Sequence, residues 1–371
     1  ERVPAAPEDD GTTAENMEEE QQHETYAPMP PAIRKHDGLK GTRHAERNRK
    51  GISVTNVNTL KMVKREVDGV RMQRWGDGRD MYARPGGKLV KLLADADDDG
   101  SAILVWTEHH MAGDELAAAI GYLARKGWDA EETGGYVTAS GRIRGGVIVA
   151  WRTDVYTRQR RKTKETQTGG NTNEKEEIRG RLVTAKLVAM ACGSVLTIVG
   201  AYAPGRNGDA AETTTTATDG TRMKQKEAAK QLTRDFWDAI RAACTGDDTV
   251  VLAGDLNAEL TAALERENRS ATDQDRELQE CVRSCNLCPI PANEATWIGH
   301  NARSEVDHVI VTQAQRHVWG NASVLPGVNK ADHRTLWVQF HGGLQDGEDG
   351  HGPARKVGAD WSRLTKDDWV E

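Results

Sequence analysis

Val250 to Leu260 reads VVLAGDLNAEL. Four apolar residues, Val250 to Ala253, run into Gly254, and Asp255 and Asn257 follow with one residue between them. A short apolar run stopped by glycine reads as a buried strand. Side chains alternate along a strand, so Asp255 and Asn257 point the same way if the extended geometry persists. A carboxylate beside a carboxamide at a strand end can move a proton and donate to a developing oxyanion. An ordinary turn capped by Asp and Asn has the same letters, so the reading depends on what surrounds the stretch.

The 371 residues are 37% hydrophobic with a mean hydropathy of −0.69, low values for a chain packed throughout. Some segments are therefore expected to lie outside any core. The net charge of −7 argues against nucleic-acid binding through a uniformly basic surface and leaves room for a local basic patch. Five cysteines, an odd number without paired spacing, suit a reducing compartment better than a disulfide scaffold. Cys281, Cys285 and Cys288, with His300 downstream, are candidates for a zinc site. Leu278, Cys281, Val282 and Cys285 also fall at helical spacing, and a buried apolar stripe is the better reading. Leu187 to Pro204 runs 18 residues without a charge, but Ala191 to Ser194 splits it into two β-branched runs. Two antiparallel strands and a turn fit better than a membrane span, so no membrane partner is expected.

Residues 1–50 lack apolar periodicity and read as a disordered charged arm. Between Arg34 and Lys50 seven Lys or Arg stand against Asp37 and Glu46, a solvated tail that could also touch phosphates. The folded domain is expected over 51–341. ISVTNVNTL from Ile52 reads as a strand, with Asn56 and Asn58 again two apart. Lys61 to Gly87 reads as an insertion or long loop, and Lys88 to Ala96 as a helix. Ser101 to Trp106 reads as a buried strand delivering Thr107 and Glu108 at its end. A helix is expected over Asp114 to Lys126 with Asp114 as N-cap, then two strands between Tyr136 and Arg152. A polar loop follows with five basic residues, Arg158, Arg160, Arg161, Lys162 and Lys164. Further helices are expected over Lys224 to Cys244 and Asp275 to Cys285. Ser304 to Val311 reads as a strand carrying Asp307 and His308. Asn321 to Val324 reads as a short strand, and Asp332 and His333 precede a final one. Residues 342–371 read as a linker toward a region absent from this chain, which opens on Glu1 and has the character of an excerpt.

Strands interleaved with a few helices, with polar residues at strand ends, suggest an α/β (α+β) fold: two packed, mainly antiparallel sheets in a four-layer αββα sandwich. NVNTL, WTE, Tyr202-Ala203-Pro204, GDLN, SEVDH and ADHR occur here in the order found in the endonuclease/exonuclease/phosphatase family. Within it, the chain most resembles the endonuclease domain of non-LTR (LINE-type) retrotransposons, over about Gly51 to Phe340. The resemblance implies a Mg²⁺-dependent phosphodiesterase, with Mn²⁺ as an alternative ion. It implies that Glu108 binds the metal with Asn56 nearby and Asp332 beside it. It further implies that Asp255 activates the attacking water, that Asn257 orients the phosphate, and that His333, held by Asp307, donates to the phosphoryl oxygen. Tyr202 would contact the phosphate or support that network. Asn58 and the five basic residues are candidate nucleic-acid contacts. Thr59 stands where the family has glycine, and Ala331 where it has serine.

The leading expectation is a nuclear DNA endonuclease that nicks one strand to leave a 3′-hydroxyl. That end would prime reverse transcription by a polymerase domain downstream in the same polyprotein. Two alternatives share the fold: an abasic-site repair nuclease or lipid or inositol phosphodiesterase, and a catalytically inactive binding module. The intact set of Glu108, Asp255, Asn257, Asp307 and His333 argues against the last.

Overall fold

Burial alternates along Leu182–Ala189 and is nearly continuous along Ser101–Thr107, Val147–Arg152 and Thr249–Asp255. Continuous burial in a strand means that both faces of its sheet are covered. The computed structural model bears this out with two six-stranded sheets packed face to face. It describes residues 50–341 apart from 65, 68–69, 72–81, 139–140, 160–177, 179, 206–221, 247–248, 301 and 327–331. The chain divides into two units, Glu1–Thr42 and Arg43–Glu371, and every described residue lies in the second. The basic residues Arg160, Arg161, Lys162 and Lys164, the arm to 49 and the tail from 342 lie outside the described residues.

Twelve strands make the two sheets. In chain order they are β1 (Lys50–Asn56), β2 (Ser101–Thr107), β3 (Trp128–Thr133), β4 (Val147–Arg152), β5 (Tyr156–Arg158), β6 (Leu182–Ala189), β7 (Val195–Tyr202), β8 (Thr249–Asp255), β9 (Leu287–Pro289), β10 (Asp307–Thr312), β11 (Trp319–Leu325) and β12 (Thr335–Phe340). The first sheet runs β11-β12-β1-β2-β4-β3 and the second β5-β6-β7-β8-β10-β9. Each is antiparallel except at one central pair, β1 with β2 and β7 with β8. Both parallel pairs send their C-terminal ends the same way. Ile52, Val54, Val105, Val149, Ile198, Val251, Val309 and Leu336 fill the space between the sheets.

Helices close the outer faces. α1 (Gly87–Asp98) and α2 (Gly113–Arg125) bury Leu89, Leu92, Leu93, Leu116 and Leu123 against Leu104, Trp106 and Ile148 of the first sheet. α3 (Arg222–Cys244) and α5 (Asp273–Ser284) bury Phe236, Trp237, Ile240, Leu278 and Cys281 against Leu252 and Ile310 of the second. A short helix, α4 (Thr261–Arg266), precedes α5. Helix, sheet, sheet, helix is the four-layer sandwich expected from the sequence. At about 1.5–3 kcal/mol per buried aliphatic side chain, these three apolar layers are the main source of stability.

Several local expectations are corrected. Lys61 to Gly87 is not simply a loop: Met62–Lys64 pairs with Tyr82–Pro85, and Glu66–Val67 with Val70–Arg71. α2 begins at Gly113 with Ala112 as N-cap, so Asp114 sits inside the first turn and acts on the helix dipole by charge. α5 starts two residues early because Thr272 and Asp275 form a reciprocal capping box, which satisfies two amide donors at once. The strand expected from Ser304 is interrupted: Arg303–Ser304 pairs with Trp297–Ile298, and β10 begins at Asp307. Among the described residues no helix is long and apolar enough to cross a membrane. Cys281 is buried in the α5 layer, and the cysteines do not join a cluster with metal-ligand spacing among the described residues.

Candidate active site

Two strand ends carry the same turn. At the end of β1 the Asn56 carboxamide oxygen accepts the Asn58 amide at 3.0 Å, and at the end of β8 an Asp255 carboxylate oxygen accepts the Asn257 amide at 3.0 Å. Each turn puts its second residue in the left-handed region, Asn58 at φ 35° and Asn257 at φ 47°, which Asn tolerates better than most residues. Strand geometry therefore stops at Asp255, so the condition under which Asp255 and Asn257 would share a face is not met. Asn257 instead turns its carboxamide nitrogen to the Ala203 carbonyl at 2.9 Å, tying this turn to the Tyr202-Ala203-Pro204 turn.

Because β1 packs across from β8, the two turns bring Asn56 and Asp255 together. The Asn56 amide donates to Asp255 at 2.8 Å. Asp255 pairs in register with Tyr202 of β7 on one side and with Asp307 of β10 on the other. Gly254 makes this possible: at φ 149° its backbone lies so close to β7 that a Cβ would overlap the Ala201 carbonyl oxygen. His333, just before β12, spans the sheets, with its Nδ1 2.9 Å from an Asp307 oxygen and its Nε2 3.9 Å from Asp255. Thr296 fixes the start of β10 by accepting the amides of Val306 and Asp307.

Asp255, Asp307 and His333 are all buried, and their ligand atoms lie within 4.8 Å of one another. Burial disfavours the charged imidazole, but the charge and hydrogen bond of Asp307, with the charge of Asp255, outweigh it and raise His333 to about 10. Burial and the Asp307 charge push Asp255 up to about 7; Glu108 adds to the rise, while His333 and the Asn56 hydrogen bond oppose it. An imidazolium is a donor at both nitrogens and cannot ligate a metal. While the ring is protonated, this array offers a metal only its carboxylate oxygens, and further oxygens stand beside it.

Those oxygens fit. Glu108 lies one residue beyond β2 at φ 56°, half-buried, with Tyr202 donating its phenol to the carboxylate. Asp307 and Glu108 then both add their charges to Asp255, with one imidazole opposing them. Burial is the larger cause of the raised Asp255, and the carboxylate repulsion that adds to it is what a hard cation with oxygen ligands would relieve. Asn56 supplies a neutral carboxamide oxygen beside Asp255. Asp332 is exposed and stands at the rim, accepting the Trp297 indole N–H at 3.2 Å; it is outside the buried group.

The remaining expected residues spread outward. Asn58 is exposed. Arg158 ends β5 and pairs with Glu131 of β3, so its charge is partly occupied. Thr59 has φ 78°, a costly conformation for a β-branched residue; its hydroxyl bonds His110 Nδ1 at 2.7 Å. Two cations and an aromatic were not anticipated. Lys88 donates to the carbonyls of Val57 and Asn58 and faces Asp332, Trp297 bridges to His333, and Arg181 is wholly buried behind Tyr202.

No family profile matches the chain, and no curated protein matches it. Similar solved structures include the Neisseria 3′ phosphatase NExo bound to product DNA hairpin, at 15% identity over 78% of this chain and 98% of that one, with a TM-score of 0.49. The catalytic domain of Xenopus laevis APE2 is 13% identical over 78% of this chain and 91% of that one, with a TM-score of 0.49. The endonuclease domain of TRAS1, a telomere-specific non-LTR retrotransposon, is 12% identical over 79% of this chain and 98% of that one, with a TM-score of 0.42.

Proposed function

We propose that this chain is a divalent-metal-dependent DNA endonuclease that hydrolyses one phosphodiester and leaves a 3′-hydroxyl. The observation that carries the reading is the buried contact between the sheets: Asn56 on Asp255, and Asp307 on His333, beside the half-exposed Glu108. Glu108 and Asn56, with Asp332 at the rim, would hold Mg²⁺ or Mn²⁺, which when bound supplies charge neutralisation at the phosphoryl oxygens.

The chain's own groups supply the rest. Asp255, anchored through one oxygen by Asn56, takes the proton from the attacking water; a base poised near pH 7 is well matched to that task. His333 presents Nε2–H to the phosphoryl oxygen, where charge grows in the transition state. Asp307 holds the opposite ring nitrogen and so fixes the ring's orientation, as the acid does in a hydrolytic triad. The Asn257 carboxamide, by its link to Ala203, fixes the turn that carries Tyr202.

The role in a retroelement is part of the same proposal. A nick with a free 3′-hydroxyl could prime a reverse transcriptase encoded downstream, and action on genomic DNA would place the protein in the nucleus. The test is incubation of supercoiled plasmid with the protein in Mg²⁺, in Mn²⁺ and in chelator. The expected result is nicked circles in either metal and none in chelator, with ends that a DNA polymerase extends directly. Nicks that need phosphatase treatment before extension would overturn the 3′-hydroxyl assignment.

A further inference from the structure

Arg181 is wholly buried, yet it belongs to none of the strand-end motifs that build the site. Its guanidinium lies 5.1 Å from the centre of the Tyr136 ring and 5.2 Å from that of Tyr202. One Nη donates to the Tyr136 hydroxyl at 2.8 Å, and the Arg181 carbonyl accepts the Tyr202 amide at 2.8 Å. Tyr136 cannot retreat. Gly145 and Gly180, both left-handed, pack against its ring so closely that a Cβ on either would stand 2.8 or 3.2 Å from ring carbons. On the far side, Tyr202 donates its phenol to Glu108, the hydrogen-bond partner of that carboxylate among the described residues.

Burying a guanidinium is costly, and the planar face of two aromatic rings is one environment that compensates it. Glu108 itself sits past the end of β2 in a left-handed conformation, its carbonyl accepting the Thr59 amide at 2.8 Å. With the backbone held there, the Tyr202 phenol is what meets the carboxylate at the far end of the side chain. We propose that Arg181 is a positioning residue for the metal-binding carboxylate: wedged between Tyr136 and Tyr202, it fixes the Tyr202 phenol on Glu108 and holds Glu108 ready for a divalent cation. The inference rests on the nuclease reading only for the identity of the ligand, a hard divalent cation.

Mn²⁺ binding is measured by calorimetry in the absence of DNA, alongside thermal unfolding in chelator, for wild type, Arg181→Met, Arg181→Lys, Tyr202→Phe and the double variant Arg181→Met/Tyr202→Phe. Groups that orient a ligand from behind typically account for roughly tenfold or more in metal affinity, and a loss of that size is expected for Arg181→Met and for Tyr202→Phe. Arg181→Lys, which keeps the charge without the flat fork, should recover only part of it. The double variant should bind no more weakly than Tyr202→Phe, because Arg181 acts through Tyr202. Wild-type affinity in Arg181→Met, additive losses in the double variant, or no Mn²⁺ binding by wild type would each overturn the proposal. Should Arg181→Met fail to fold, Tyr136→Phe, which removes only the hydroxyl that Arg181 holds, decides instead: weaker Mn²⁺ binding supports the stack and unchanged binding overturns it. Wild type that binds Mn²⁺ in the pattern expected here but leaves DNA intact would refute the nuclease reading and not this one.

Discussion

Asp255 is the residue on which the account turns, because burial, two neighbouring carboxylates, one imidazole and one carboxamide all act on its protonation. Glu108 is the half-buried member of that group, and the proposed function makes it the first ligand. Glu108→Gln keeps the shape and removes the charge, and the Mg²⁺ needed for half-maximal plasmid nicking should rise by roughly tenfold or more; an unchanged titration would assign the ligand elsewhere. Asp255 and Glu108 were legible in the sequence because each follows an apolar run, where a strand delivers it; Asp307 and His333 stand at or before the start of their strands and were singled out by the family resemblance. Asn257 was legible as a residue but its turn was not, since that turn is set by the Asp255 hydrogen bond. Arg181 and Lys88 were not legible. Each is one basic letter beside an apolar segment, and only the packing of the two sheets shows what it faces.

Elements respond to strain and charge at their ends. Gly254→Ala would place a methyl against the β7 carbonyl at a backbone angle that L residues avoid, and a destabilisation of about 3 kcal/mol is expected from steric overpacking and strain together. Urea unfolding measures it, and a midpoint equal to wild type would contradict the close approach of β7 and β8. α1 has the opposite fault. It ends in Asp97 and Asp98, with Asp99 as C-cap and no basic residue in its last turn, against the helix dipole. Burial, then the charges of Asp95 and Asp98, raise Asp99 from its ordinary 3.8 to about 6, with Lys91 opposing. An acid whose folded value is raised costs stability once ionised: the loss begins as pH rises through 3.8 and is complete above about 6. Asp99→Asn should therefore raise the melting temperature by about 2 °C at pH 7.5 and have no effect below pH 3.8; calorimetry across that range checks the sign. The sequence concealed other elements for physical reasons. β3 reads WDAEET, a charged strand at the sheet edge whose alternation carries little apolar signal, and the Met62–Lys64 ribbon closes through long-range pairing that no local pattern announces.

The molecule as a whole carries net negative charge, so any grip on DNA must be local. Arg158 is engaged by Glu131, which leaves Arg160, Arg161, Lys162 and Lys164 as the candidates in that segment. Neutralising those four should reduce the slope of log affinity against log salt by up to about 3.6, at about 0.9 for each phosphate no longer neutralised; an unchanged slope would mean that the segment does not meet the backbone. The sandwich holds Asn56 and His333 on one sheet and Asp255 and Asp307 on the other, so chemistry and DNA grip should be separable. Single-turnover cleavage of one duplex in Mg²⁺ and equilibrium binding of it in Ca²⁺ test that separation for wild type, Asp255→Asn, His333→Ala and the double variant. Each single variant should lose roughly 10²-fold or more in rate, the scale of one general base or one transition-state donor, while binding changes little. The double variant should lose far less than the product of the two. Normal cleavage by both single variants, or failure that follows from weakened binding alone, would contradict a phosphodiesterase centre at Asp255 and His333.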